Sequence, residues 1–233
     1  MIDDSWARML ADAGTERASQ PRRICELCVE GLGVTGAGIS MVTRSGNWGV
    51  VHATDDIAAR IEDLQLTLGE GPCVDAVSSG APVLVADLSA SDILVERWPA
   101  FLKGAESAGV RAVFAFPLRI GAISVGALDL YRDQPGDLAD LIPAALVAAD
   151  AAALALLHME TPWDQGFDDD LDAGSANQLQ VHQATGMVQA QLDIATEDAF
   201  LMLRARAFAD ARPVVDVARD VVERRLRFTK EDS

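Results

Sequence analysis

The chain has 233 residues, half of them hydrophobic, and a net charge of −17 at pH 7. That length suits one ordinary domain plus a small one, and the charge excludes a protein that wraps nucleic acid over its whole surface. Cys25, Cys28 and Cys73 are too few and too oddly numbered for a disulfide framework. No run of about 18 apolar residues lacks a charge or helix breaker, and the opening residues, with Asp3, Asp4 and Asp12, do not resemble a signal peptide, so a cytoplasmic protein with reduced thiols and no membrane partner is expected.

A first helix is predicted from about Ser5 to Gly31, interrupted near Pro21. It carries Cys25 and Cys28 three residues apart, and residues i and i+3 share a helix face. A zinc site would need two further ligands, but His52, His158 and His182 are scattered singly, so the cysteines read as small apolar residues packed on a sheet. Gly38 to Val42 and Trp48 to Ala53 are β-like runs around the turn-rich Arg44-Ser45-Gly46-Asn47, which predicts a hairpin. Asp55 to Leu66 predicts an amphipathic helix with Ile57, Ile61 and Leu64 on one side.

Leu68-Gly69-Glu70-Gly71-Pro72-Cys73 then leads into a helical turn ending at Ser79, a strand from Pro82 to Val85 and a helix around Trp98 to Ala108. Two long strands follow, Arg111 to Ile120 and Ala122 to Tyr131. In the first, Ala112, Phe114, Phe116 and Leu118 face one way and Val113 and Ala115 the other, as in a central strand covered on both sides.

The expected fold class is α+β, an antiparallel sheet flanked by helices and followed by a small all-α three-helix bundle. The sheet half resembles the GAF domain, a signal-sensing module. The resemblance rests on Gly69-Glu70-Gly71-Pro72-Cys73, on Val83 to Leu88, on Arg111 to Leu118 and on Gly126 to Tyr131. It implies a ligand pocket between the sheet and its covering loops, for an unknown small molecule, with Met41, Trp48, Cys73, Trp98, Phe114 and Phe116 as candidate lining. Neither a metal site nor a cofactor is expected. Cys73 near a helix start supports an alternative, a thiol-based redox sensor or reductase.

The segment from Asp137 to Met159 predicts a helix that Pro143 kinks or begins. Leu146, Ala149, Ala153 and Leu156 lie on one side with Val147, Leu154 and Leu157 nearby, an arc too wide for one sheet to cover, which predicts a homodimer. The domains are expected at 1–160 for the sensor, 161–176 for an acidic linker and 177–233 for the bundle. Trp163 and Phe167 would tack the linker to a domain surface.

The first bundle helix, Asn177 to Leu192, buries Val181, Ala184, Val188 and Leu192. The second, capped by Thr196, buries Ala199, Phe200, Leu203 and Ala207. The third, from Pro213, buries Val214, Val217, Ala218 and Val221. Gly186 inside the first predicts a close backbone contact. Gln183 to Met187, Ala199-Phe200 with Leu203-Arg204 and Ala207, and Asp216-Val217-Ala218 with Val221 resemble the ANTAR family of RNA-binding domains from transcription antitermination regulators. Thr185 stands where many relatives have lysine.

The resemblance implies that the chain binds hairpin RNA in nascent transcripts and promotes antitermination under sensor control, without covalent chemistry. Charge permits this, because residues 178–233 hold eight basic and nine acidic groups, whereas residues 1–177 hold eleven and twenty-seven. Arg204, Arg206, Arg212, Arg219 and Arg224, off the buried stripes, and Gln183 and Thr185 of the first helix are the candidate RNA contacts.

Overall fold

The computed structural model describes Trp6 and residues 8–10, 20–42, 48–90, 92–159 and 173–229. The expected turn at residues 44–47 and nearly all of the expected linker, with Trp163 and Phe167, lie outside these residues. The elements in chain order are α1 (Gln20–Leu32), β1 (Gly36–Val42), β2 (Trp48–Ala53), α2 (Asp56–Leu68), α3 (Pro72–Ser79), β3 (Val83–Val85), α4 (Asp92–Arg97), α5 (Pro99–Ser107), β4 (Ala112–Ile120), β5 (Ile123–Arg132), α6 (Ile142–His158), α7 (Ala173–Leu192), α8 (Thr196–Ala209) and α9 (Val214–Val222).

The five strands form one antiparallel sheet in the order β2-β1-β5-β4-β3. Alternation along β4 splits its side chains as the sequence predicts. Phe114, Phe116 and Leu118 join Leu128 and Leu130 of β5 and Ala37 and Ile39 of β1 beneath α1 and α6. Cys25 and Cys28 lie in this same apolar layer, fully buried. On the opposite face Val113 and Tyr131 pack with Ile61, Trp98 and Phe101 under α2 and α5.

Prolines start helices rather than break them. Pro143 lies in the first turn of α6, which settles the choice between kink and beginning, and Pro72 and Pro99 do the same for α3 and α5. Pro21 lies in the first turn of α1, and the segment from Trp98 to Ala108 is preceded by the separate α4. Upstream, Trp6 and residues 8–10 are helical, and the Trp6 indole donates to the Leu27 carbonyl at 2.9 Å.

The last three helices form a bundle whose core is the predicted set from Val181 to Val221, closed by Phe228. Three expectations there fail. The N-cap of α8 is Ala195, because the Thr196 hydroxyl donates to Gln189 Oε1 at 3.0 Å instead of capping. Gly186 is exposed, with nothing within 4 Å of where a Cβ would stand. Arg224 lies past the end of α9 with φ 61°, a left-handed position rather than a helix face.

The bundle core also takes in Leu66 of α2 and half-buried Trp48 of β2. The helix α2 is therefore buried on two sides, and Ile57, expected on its apolar side, is exposed. The stretch 139–158, which includes α6, is long and apolar enough to cross a membrane by length and composition. Here its alanine-rich side packs against the sheet and α1.

Candidate functional site

On the α2 side of the sheet, the outward alternation of β1 and β5 brings Gly38, Ser40 and Asp129 to one face, with Gly38 opposite Asp129 in register. On β4, Ala115 is the other neighbour of Asp129. Small residues on both sides leave room above the Asp129 carboxylate, and Glu62 of α2 fills it. A Cβ on Gly38 would lie 2.5 Å from Glu62 Oε1, so a side chain there would have to displace Glu62.

Gln65, one helical turn on from Glu62, braces the site. Its Nε2 donates to Asp129 Oδ2 at 2.7 Å, and its Oε1 accepts the Cys73 N–H at 2.8 Å. The Ser40 hydroxyl stands 3.4 Å from Cys73 Sγ. Ser40, Glu62, Gln65, Cys73 and Asp129 are all buried.

The Gly69 to Cys73 loop builds this arrangement. Gly69 ends α2 in the left-handed conformation at φ 64°, and Gly71 holds φ 130°, which a side chain would strain. Between them Glu70 reaches across to cap α5, its Oε1 accepting the N–H groups of Ala100 and Phe101 at 2.7 and 2.9 Å. Asp75 of α3 accepts from the Trp98 indole at 3.0 Å and from Arg97 at 2.6 Å.

Burial dominates the electrostatics. It raises the Glu62 carboxyl well above its ordinary range, aided by the facing Asp129, and raises Asp129 to about 6 against the lowering hydrogen bond from Gln65. Burial also pushes the Cys73 thiol up strongly, with Asp129 and Glu62 adding to it, and Cys28 up to about 12. None of these thiols is poised as a thiolate. Cys73 lies on the opposite face of the sheet from Cys25 and Cys28, so the three do not form a redox set.

The seam between the sheet domain and the bundle runs along the next face of α2. The Thr67 carbonyl accepts from Arg204 Nε at 3.1 Å, and its hydroxyl accepts the Val214 N–H at 3.2 Å. The Arg204 guanidinium rests against Gly69 and over the Phe200 ring, and burial lowers its pKa. Beside it a cleft of about 610 Å³ opens between Trp48, Val50 and Asp63 on one side and Pro213, Val215 and Arg219 on the other. Burial and then Asp216 raise the Asp63 carboxyl to about 7, and its Oδ1 has no hydrogen-bond partner.

The GAF domain family's sequence pattern matches residues 22–157, more than half of the chain. The chain belongs to the GAF domain family. No curated protein matches it significantly. Among solved structures it is similar to the GAF domain of a phosphoenolpyruvate-protein phosphotransferase from Acinetobacter, at 13% identity and TM-score 0.48, covering 66% of this chain and 93% of that one. The A. aeolicus nlh2 GAF domain in an inactive state is similar at 13% identity and TM-score 0.47, with 66% and 94% covered. A type II free methionine-R-sulfoxide reductase from Thermoplasma acidophilum is similar at 18% identity and TM-score 0.45, with 64% and 94% covered.

Within this GAF domain the six residues predicted to line one pocket are dispersed. Phe114 and Phe116, with partly buried Met41, lie in the layer under α1 and α6. Cys73 and Trp98 lie on the other face, and Trp48 is drawn to the bundle. Met41, Phe114 and Phe116 are strand residues turned to one face, whereas Cys73 of α3 and Trp98 at the start of α5 come from elements that cover the other face. Sequence reasoning missed Glu62, Gln65 and Asp129. The signal was present as acidic and amide residues at otherwise apolar positions, Asp129 between Leu128 and Leu130 above all.

The candidate RNA contacts divide as well. Thr185 is buried and donates to the Val181 carbonyl at 2.7 Å, which removes it from any surface, and Arg204 is half-buried in the seam. Arg219 pairs with Asp216 at 2.9 Å and lines the cleft. Gln183 and Arg224 are exposed, whereas Arg206 pairs with Asp210 at 2.7 Å and Arg212 with Asp220 at 2.8 Å.

Proposed function

We propose that this protein is a cytoplasmic, signal-responsive regulator in which the GAF domain controls how its C-terminal bundle binds hairpin RNA in nascent transcripts, promoting antitermination. The observation that carries this reading is the double duty of α2. Its Glu62 and Gln65 enter the buried sensor cluster, while its Leu66 and Thr67 hold the bundle. A ligand that displaces α2 therefore has differential contacts with the docked and released bundle, which is what coupling requires. The RNA half of the proposal is supported by the ANTAR-like motifs, by the arginine-rich bundle and by Arg206, Arg212 and Arg224 lying away from the bundle core. No covalent step is needed.

Homodimerisation through α6 belongs to the same proposal. Val147, Leu154 and Leu157 are about half exposed along one side of that helix, together with Leu146. The rival thiol enzyme is disfavoured by the full burial of Cys73 and its raised pKa. Slow alkylation of Cys73 in the native protein at neutral pH is the expected result.

Sequencing of RNA crosslinked to the protein in cells tests the activity and names the targets. In vitro, replacing Arg206, Arg212 and Arg224 with alanine together should lower RNA affinity at least tenfold. The salt dependence should flatten by about 0.7 to 0.9 in slope per arginine that contacts a phosphate. Undiminished affinity in a folded triple variant would refute the arginine assignment. Absence of any enriched RNA would refute the function.

A further inference from the structure

We propose that Glu62, Cys73 and Asp129 form a binding site for a single transition-metal cation of the Zn²⁺ class. One ligand atom from each of these three buried residues lies within 4.8 Å of the other two. A zinc ion held by a thiolate at about 2.3 Å and carboxylate oxygens at about 2.0–2.2 Å needs donors roughly 3.5 Å apart. The three groups therefore reach a ligating geometry by moving inward by about 1 Å.

A second observation points to a ligand. Asp129 Oδ2 is occupied by the Gln65 amide, whereas Asp129 Oδ1 is fully buried and receives no amide, hydroxyl or cationic donor, so that only the acid protons of Glu62 and Cys73 face it. A buried carboxylate oxygen served only by protons of its fellow ligands is a place where a cation can replace those protons. Among the described residues no Lys, Arg or His forms a salt bridge with Glu62 or Asp129. The only positive charge the pair receives from the described residues is the proton held by Glu62, and a bound metal would take that proton's place.

The donor set selects the class. A thiolate with two carboxylates is softer than the all-oxygen shells of Mg²⁺ or Ca²⁺ and suits Zn²⁺ or Co²⁺. On binding, the Cys73 S–H bond and the Glu62 carboxyl O–H bond break, both protons go to solvent, and the freed sulfur and oxygen lone pairs form metal bonds. Ser40 Oγ, 3.4 Å from Cys73 Sγ, or a water completes four-coordination. The large cleft beside the bundle is not lined by any of the three residues, so an organic cation has no space there that reaches them. Gln65 holds both Asp129 and the Cys73 backbone, so it orients two of the three ligands.

The test uses the full chain stripped with a chelator and titrated with Co²⁺ and with Zn²⁺. Expected are binding of one metal per chain and, with Co²⁺, a thiolate-to-metal charge-transfer band together with the intense visible absorption of four-coordinate cobalt. Zn²⁺ should abolish both signals, and Mg²⁺ in large excess should not. Cys73→Ser should remove the charge-transfer band, and near-isosteric Asp129→Asn should weaken binding at least tenfold. Replacing Cys25 and Cys28 with alanine together should leave the band intact. The assignment is overturned if the wild-type protein shows no charge-transfer band, or if folded Cys73→Ser and Asp129→Asn chains bind as the parent does. A variant that loses its circular dichroism leaves the decision to the wild-type band, which must be present.

Discussion

Gly126 and Gly186 occupy opposite situations with respect to space. A Cβ at position 126 would meet the backbone carbonyl of Ser40 on the neighbouring strand, which cannot swing aside as a side chain can. Gly126→Ala is therefore expected to destabilise the sheet domain by about 1–3 kcal/mol, read as a lower midpoint in denaturant. At position 186 the space is open, and the helix carries glycine's entropic cost without a contact in return. Gly186→Ala should stabilise the bundle by up to about 1 kcal/mol, and a drop in its melting temperature would contradict this.

Asp63 gives a third test at this scale. The cleft around it also presents Asp55, Asp56, Arg60 and His52 from the sensor and Asp216 and Arg219 from α9. Its folded pKa of about 7 lies above the usual carboxyl value, so the folded state holds a proton that the unfolded state has lost. The associated stability is present at low pH and is lost as pH rises through about 7. Asp63→Asn should therefore raise the melting temperature at pH 8 and leave it nearly unchanged at pH 4. An equal shift at both values would show that charge at this position does not oppose docking.

Among the helices, α6 shows how periodicity and partner choice differ. The wide apolar arc from Leu146 to Leu157 was legible in the sequence, but which part of it meets the sheet was not. Ala149, Ala153 and Leu156 are buried within the chain, whereas Val147, Leu154 and Leu157 remain half exposed. The free stripe also contains exposed Asp150. Replacing Leu154 with glutamate should convert a dimer into a monomer in light scattering with little change in melting temperature, while Ala149→Glu should unfold the sheet domain by burying a charge. A wild-type chain that is monomeric at micromolar concentration would overturn the dimer.

For the molecule as a whole, the seam along α2 is the feature to perturb. Leu66 is buried in the bundle core, and truncating it removes apolar contact between the two halves at a cost of about 2–5 kcal/mol. Leu66→Ala should enlarge the radius of gyration in small-angle scattering and free Arg204 from Thr67. If docking restrains the bundle, RNA affinity rises in this variant. Unchanged scattering and affinity would show that the halves are not held apart or together by this contact.

The sequence by itself determined the elements and their inward faces. Period-two alternation fixed which residues of β4 share a side. The 3.6-residue spacing fixed the buried stripes of α7, α8 and α9, because local backbone geometry alone sets those periods. It also carried the GAF motif from Gly69 to Cys73, whose glycines answer to backbone angles.

The tertiary structure alone decided which faces meet. The ligand candidates implied by the GAF resemblance fall on both sides of the sheet, while the buried polar cluster is assembled from residues 40, 62, 65, 73 and 129 by strand register and the packing of α2 and α3 on it. Contacts between residues so distant along the chain leave no periodic trace. Arg204, Gly186 and Thr185 were misjudged for the same reason: whether a helical position faces a neighbour, open solvent or another domain depends on packing partners that spacing does not specify.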